Sequence, residues 1–309
     1  MKIFHAVHDF VSKSPTVITI GTFDGVHIGH RKILERLKKE SVSGESTILT
    51  FYPHPRKVLN GADTITLLNT IEERIHLLQD LGIDNLIIQP FNSVFAATDA
   101  RVFVRDLLVN NLKMRKIIIG HDHRFGVNRA AGISELIDFS KQYHYEVVQI
   151  PAQEIDEVTV SSTKIRQALL AGNLAMANSY LGYQYLITGK VVHGKQLGRE
   201  LGYPTANVEV ADHEKLIPAP GVYAVWSFIN NVKIFGMMNI GYRPTIGGAT
   251  RSIETHFFDF NADLYQKSIT LHLVKRIRNE QAFTSLDGLK KQLLLDEAIC
   301  RNMFQNSDL

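Results

Sequence analysis

Residues 17–31 read VITIGTFDGVHIGHR: an apolar β-branched run, a glycine-rich turn and the start of an amphipathic segment. A buried strand that empties into such a turn and then into a helix opens a βαβ unit, and the carboxyl end of that strand is where open α/β sheets bind ligands. Two common phosphate loops are absent, since no GxxxxGK[ST] occurs and Gly21, Gly25 and Gly29 do not fit GxGxxG. His27 and His30 stand three apart at the helix start, so their rings project from about the same face, beside backbone N–H groups and the positive end of the helix dipole. Two imidazoles so placed can grip a triphosphate and stabilise charge that builds during in-line attack, with no protein nucleophile. An isolated HxxH more often satisfies only local backbone groups. A zinc site would need a third ligand, from His121, Asp122 or His123, and nothing in the spacing demands one.

Outward from this stretch, β-branched runs alternate with amphipathic ones. Strands are expected at 17–20, 47–51, 86–88, 116–119 and 146–150, and helices at 31–40, 71–81, 100–110 and 133–143. The alternation predicts an α/β fold, a Rossmann-like parallel sheet covered by helices. Two further helices, 163–171 and 174–181, end at Gly172 and Gly182. Near Tyr183 the texture changes to short strands with Gly, Pro and Asn turns, at 185–192, 222–228, 232–240, 252–258 and 268–274, which predicts a small antiparallel β-barrel. A closing helix, about 285–304, is expected to pack on it through Leu286, Leu289, Leu293 and Ile299. The expected domains are therefore 1–182 and 183–309.

The bulk properties agree. The 309 residues suit two domains at roughly 150 residues each. Hydrophobic residues at 45% and charged residues at 21% are globular proportions, which excludes a disordered or fibrous chain. The net charge of +3, evenly spread, argues against a nucleic-acid partner. One cysteine, Cys300, excludes an intramolecular disulfide and a Cys-rich zinc cluster. No secretory signal and no long apolar run is present, so a cytoplasmic protein without a membrane partner is expected.

Other segments carry polar groups in suggestive places. In GHDHRFG (120–126), a loop after an apolar strand, Asp122 can accept hydrogen bonds and Arg124 can meet phosphate, although an ordinary polar loop reads the same way. In VSSTKIR (160–166), Ser161 and Ser162 suit a helix N-cap, and the surplus hydroxyls with Lys164 and Arg166 suit a triphosphate tail. FYPHP (51–55) reads as a rigid strand exit. In the second half, Thr205 and Asn207 of YPTAN are two apart on an extended segment. Their hydroxyl and amide oxygens then share a face as hard ligands for Mg²⁺, and a turn at a strand end is the plainer alternative. MNIGYRPTIGG (238–248) reads as a loop. Ser252, Glu254 and His256 share a strand face on which Glu254 can accept a proton from a substrate hydroxyl, though a lone strand glutamate is usually only solvated.

Taken together, GTFDGVHIGH resembles the HxGH signature of the nucleotidylyltransferase superfamily. Nearly the whole chain resembles bacterial bifunctional riboflavin kinase/FMN adenylyltransferases (FAD synthetases), with FYPHP, IIIGHDHRFG and VSSTKIR following in order. The barrel resembles the riboflavin kinase module through its GxPTAN motif, GVY strand (221–223), N-x-G-x-x-P-T segment (239–245) and strand glutamate. The resemblance implies that His27 and His30 bind the ATP phosphates. It implies nucleotide contacts at Gly21, Phe23, Asp24, Asp122, Ser162, Thr163 and Arg166, and flavin contacts at His54, Arg278 and Glu280. It further implies that Thr205 and Asn207 bind Mg²⁺-ATP and that Glu254 is the base for the riboflavin 5′-hydroxyl. His123 stands where the family usually has an aromatic, and Thr159 where it often has a basic residue. The implied substrates are riboflavin, FMN and ATP. One rival is a nucleotidylyltransferase for another phosphorylated small molecule with a non-catalytic flavin-binding barrel. A second is an RNA-contacting regulator, against which the even charge speaks.

Overall fold

Six strands align in one parallel sheet: β1 (Lys2–Phe4), β2 (Thr16–Ile20), β3 (Glu45–Tyr52), β4 (Asn85–Pro90), β5 (Met114–Gly120) and β6 (Glu146–Ile150). Their order is β1-β4-β3-β2-β5-β6. The computed structural model describes residues 1–12, 14–61, 65–120, 124–127, 130–151, 160–194, 197–245 and 248–306, in two compact units, Met1–Ser162 and Thr163–Leu309. All five residues of β2 are buried, as expected of a central parallel strand covered on both faces. From β2 the chain runs to β3 and β4 on one side and returns to β5 and β6 on the other. The carboxyl ends of β2 and β5 therefore flank the point where the strand order reverses, the usual ligand position in such sheets.

Around the sheet lie α1 (Ile28–Glu40), α2 (Pro55–Asn60), α3 (Ile71–Gln79), α4 (Ser93–Ala96), α5 (Ala100–Val102) and α6 (Ile133–Tyr143). α1 buries Leu34 and Leu37. α3 opens on a full capping box, in which the Thr70 side chain accepts Glu73 N–H and the Glu73 carboxylate accepts Thr70 N–H. α6 and β6 match the sequence expectation residue for residue. Elements not legible include β1, which is too short to show alternation, α2, which starts with Pro55 as its first residue, and α4. The segment expected as one helix at 100–110 runs on from α5 as a π-helix, Phe103–Asn111.

The second unit contains α7 (Ser162–Leu170, whose first residue belongs to the other unit), α8 (Leu174–Leu181), a closed barrel, and α10 (Leu286–Gln305). The barrel strands are β7 (Leu186–Val192), β8 (Ala206–Glu209), β9 (Gly221–Ile229), β10 (Val232–Thr245), β11 (Gly248–Phe257) and β12 (Ser268–Arg278), with the short α9 (Leu197–Glu200) before β8. The order is β10-β11-β8-β7-β12-β9, every pair antiparallel. Hydrogen bonds tie α7 and α8 to this unit: Ala219 N–H donates to Leu169 O, and the Asn178 side-chain amide donates through Nδ2 to Leu273 O and accepts Tyr185 N–H at Oδ1. Of the segment expected as a loop at 238–248, residues 238–245 and 248 are strand instead, with β10 and β11 paired down to Thr245 and Gly248.

α10 docks through Leu293 as expected, but its buried face is otherwise turned from the expected one. Leu286 and Ile299 are 56% and 50% exposed. The buried face carries Asp296 and Cys300, with Leu293, Met303 and Phe304 packed among Tyr203, Ala224, Met237 and Phe258. Hydrophobic spacing misassigns the face because its centre is a carboxylate, and Asp296 tolerates burial because Arg278 reaches it through three contacts of 2.8–3.0 Å. Burial, then Asp296 and Glu297, pushes the Cys300 thiol up to about 12.

Candidate functional site

The turn between β2 and α1 is strained. Phe23, Gly25 and Val26 have φ of 48°, 89° and 37°, and the left-handed region is costly for a β-branched residue such as Val26. The turn is pinned from several sides: Gly21 N–H donates to Leu49 O, Thr50 Oγ1 to Thr22 O, Val26 N–H to Phe23 O, and Ser162 Oγ to Asp24 O at 2.8 Å. The Phe23 ring folds back so closely that a Cβ on Gly21 would sit 3.1 Å from it.

This turn delivers His27 as the N-cap of α1, its Nδ1 accepting His30 N–H at 3.3 Å. In the neutral ring the proton then belongs on Nε2, which makes that atom a donor. The His30 ring stacks on His27 with centroids 3.7 Å apart and planes 14° from parallel, and the Phe23 ring meets it edge-on. Burial first, then the charges of His27 and Arg74, holds His30 well below the usual 6.5. At neutral pH the pair therefore presents at least one uncharged imidazole, able to donate a hydrogen bond to a phosphate oxygen.

The structure places the other expected residues of this site as follows. The Asp24 carboxylate is buried and turned into the protein, accepting Leu68 N–H at 2.9 Å and Asn69 N–H at 3.2 Å, with Arg74 Nη2 at 3.9 Å. His54 is the buried N-cap of α2, its Nδ1 accepting Arg56 N–H. Thr163 is exposed and Arg166 half-buried on α7, in the second unit. Asp122, His123 and Thr159 lie outside the described residues.

Sequence reasoning missed an aromatic cluster at the same end of the sheet. Phe51 at the end of β3, and Phe91 and Phe95 after β4, contact one another at centroid distances of 5.5–5.8 Å. Phe95 continues to Phe103, and Phe103 to Phe125 after β5, at 6.1 and 5.9 Å. The available signal was positional: Phe51, Phe91 and Phe125 each end or follow a parallel strand on its ligand side.

In the barrel, strand register assembles the polar residues. Asn207 on β8 lies opposite Glu254 on β11, which lies opposite Asn239 on β10. Alternate residues of a barrel strand face in and out. Ile253 and Thr255 are buried while Glu254 is half-buried, so the three polar side chains share the outer face. The chain after β7 runs against this row so closely that a Cβ on Gly194 would collide with the Asn207 amide. Thr205 immediately precedes β8, and His256 Nδ1 meets Pro204 O at 2.8 Å. Tyr203 OH donates to Glu297 on α10, and burial followed by that carboxylate pushes the phenol up to about 12. Arg278 is engaged with buried Asp296, while Glu280 accepts Tyr242 N–H.

A parallel sheet with a stacked histidine pair at its switch point, followed by a closed barrel bearing an Asn-Glu-Asn row, defines a two-site chain of nucleotide-handling type. Residues 10–164 match the family model described as FAD synthetase, and residues 181–304 the one described as riboflavin kinase. The curated bifunctional riboflavin kinase/FMN adenylyltransferase of Escherichia coli (strain K12) is 37% identical over 310 residues, 98% of each chain. That of Buchnera aphidicola subsp. Schizaphis graminum is 38% identical, covering 98% of this chain and 99% of its own. The chain belongs to the bifunctional riboflavin kinase/FMN adenylyltransferase family. A crystal structure from Streptococcus pneumoniae, described as a macrolide-efflux protein, is 32% identical with a TM-score of 0.87 over 97% of this chain and 98% of that one. Among the described residues no helix is long and apolar enough to cross a membrane.

Proposed function

We propose that the chain makes flavin cofactors in two ATP-dependent steps, phosphorylating riboflavin to FMN and adenylylating FMN to FAD with release of pyrophosphate. The observation that carries this reading is the presence on one chain of both family matches, each over a site whose polar groups suit its step. Adenylylation is assigned to residues 1–182 and phosphorylation to residues 183–309. A barrel that only binds flavin is disfavoured, because the row that a kinase needs is assembled in it. The single buried cysteine fits a cytoplasmic enzyme.

In adenylylation, an FMN phosphate oxygen attacks the α-phosphorus of ATP and pyrophosphate leaves. His27 and His30 hold the phosphates and stabilise the charge of the transition state, which needs positioning and electrostatics rather than a protein nucleophile. The Phe51, Phe91 and Phe95 cluster offers ring faces and edges to a planar flavin. His54, Ser162, Thr163 and Arg166 stay assigned as contacts around this site. In phosphorylation, Glu254 takes the proton of the riboflavin 5′-hydroxyl as its oxygen attacks the γ-phosphorus, and ADP leaves. Among the described residues no cluster of three His, Cys, Asp or Glu side chains can hold a metal ion. The Thr205 hydroxyl and Asn207 amide are instead hard oxygen donors beside Glu254, a set that fits Mg²⁺ completed by phosphate oxygens. When bound, that ion supplies charge neutralisation on the transferred phosphoryl group.

The test is a chromatographic time course of purified protein with riboflavin, ATP and Mg²⁺. FMN followed by FAD is the expected result. FAD only from added FMN overturns the kinase half, and no conversion of either flavin overturns both.

A further inference from the structure

Arg74 is the largest fully buried side chain among the described residues, 1% exposed in the first half of α3. A guanidinium shut away from water requires a countercharge. The adjacent Glu73 carboxylate is committed to the α3 capping box, and the carboxylate facing Arg74 is that of Asp24, itself 1% exposed. Asp24 is held twice. Its side chain accepts the Leu68 and Asn69 N–H groups, and its carbonyl accepts Ser162 Oγ. The residues on either side of it, Phe23, Gly25 and Val26, are the ones with left-handed φ. Strain of about 1–3 kcal/mol per residue persists only where surrounding structure over-determines the conformation. Three residues beyond this anchor stands His27, whose ring must meet His30 at 3.7 Å.

We propose that Arg74 and Asp24 are a positioning pair for adenylyl transfer: the buried guanidinium clamps the Asp24 carboxylate to the 68–69 backbone, and the strained turn so fixed delivers His27 into stack with His30. The inference rests on the adenylyl-transfer reading of this site. Its electrostatic corollary is that the charges acting on His30, which are His27 and Arg74, set how readily that imidazole takes a proton, and that Asp24 acts by offsetting Arg74. A positioning pair whose members have opposite charge then has opposite effects on His30 when one or the other is neutralised.

The test uses the full chain and assays adenylylation of FMN and phosphorylation of riboflavin separately, the second reporting that the barrel unit is folded and urea melts of the same chain reporting that the α/β unit is. Arg74→Met is expected to lower kcat/KM for adenylylation about 10²-fold, mostly in kcat, while phosphorylation stays within about twofold. Arg74→Lys, which keeps the charge, recovers about tenfold of that loss. The acid limb of the adenylylation pH profile moves to higher pH in Arg74→Met, and to lower pH in Asp24→Asn, where the guanidinium is left unbalanced. If Arg74→Met does not fold, Arg74→Lys and Asp24→Asn decide through the same two readouts. Adenylylation within about threefold of wild type in these variants, acid limbs that do not separate, or parallel loss of both activities overturns the inference alone. A wild-type chain inert toward FMN overturns the functional reading and the inference with it.

Discussion

The two sites reach their geometry by different routes. In the barrel, Asn207, Glu254 and Asn239 stand side by side because adjacent antiparallel strands put them in register, and the ladder that folds the unit also builds the site. In the α/β unit, His27 and His30 depend on a turn with unfavourable backbone angles, held by a buried charge pair and a loop 44 residues further along the chain. A site built by a ladder should lose chemistry when its reactive group changes and little else. A site built by an anchored turn should also be sensitive to residues that never touch substrate.

The largest expected effect sharpens the ladder side. Glu254→Gln should lower riboflavin phosphorylation about 10³-fold and leave adenylylation of supplied FMN unchanged, as read by chromatographic rates. A parallel loss of both would break the separation of the sites. His27→Ala and His30→Ala should each cost adenylylation about 10²-fold or more with phosphorylation intact. On stability, Arg278→Met leaves the Asp296 carboxylate buried without its guanidinium. Urea denaturation should show the second unit weakened by about 3–5 kcal/mol, against little change in the first.

A smaller effect is set by protons. His272, stacked on Trp226, is held down to about 4 by burial and then by Lys233. Between its folded value and the usual 6.5, the unfolded chain binds a proton that the folded ring does not. Stability from this group is therefore full above about pH 6.5 and falls as pH drops toward 4, by about 3 kcal/mol at most. Melts at pH 7 and pH 5 should show this slope in wild type and a flatter one in His272→Phe. The smallest expected change is Thr70→Ala, which removes one half of the α3 capping box and should cost about 1 kcal/mol in the same melts.

The parts of the molecule that sequence reveals are those where local chemistry and final structure agree. Residues 133–143 are amphipathic and stop before His144, which adopts a left-handed φ, so pattern and boundary coincide. The histidine pair was legible because its spacing is itself a helix-start geometry. Asp24 was not, since the carboxylate of a motif residue reads as a ligand contact until Leu68 and Arg74 are known to surround it. The docked face of α10 was hidden for a related reason. Asp296 at its centre looks solvated unless Arg278, on β12, is brought beside it. Strand β1 and the aromatic cluster depend on which strand ends become neighbours, and order along the chain does not disclose that.

The seam between α10 and the barrel also carries the only thiol in the chain, and its chemistry gives the seam a clock. Cys300 has no solvent exposure, and its ionisation is pushed up to about 12, so the thiolate that alkylating reagents and peroxides attack is scarce while the helix stays docked. Any labelling of this chain at neutral pH must wait for α10 to lift. The alkylation rate at one atom thus counts openings of the C-terminal helix, without a probe having to be engineered into the protein.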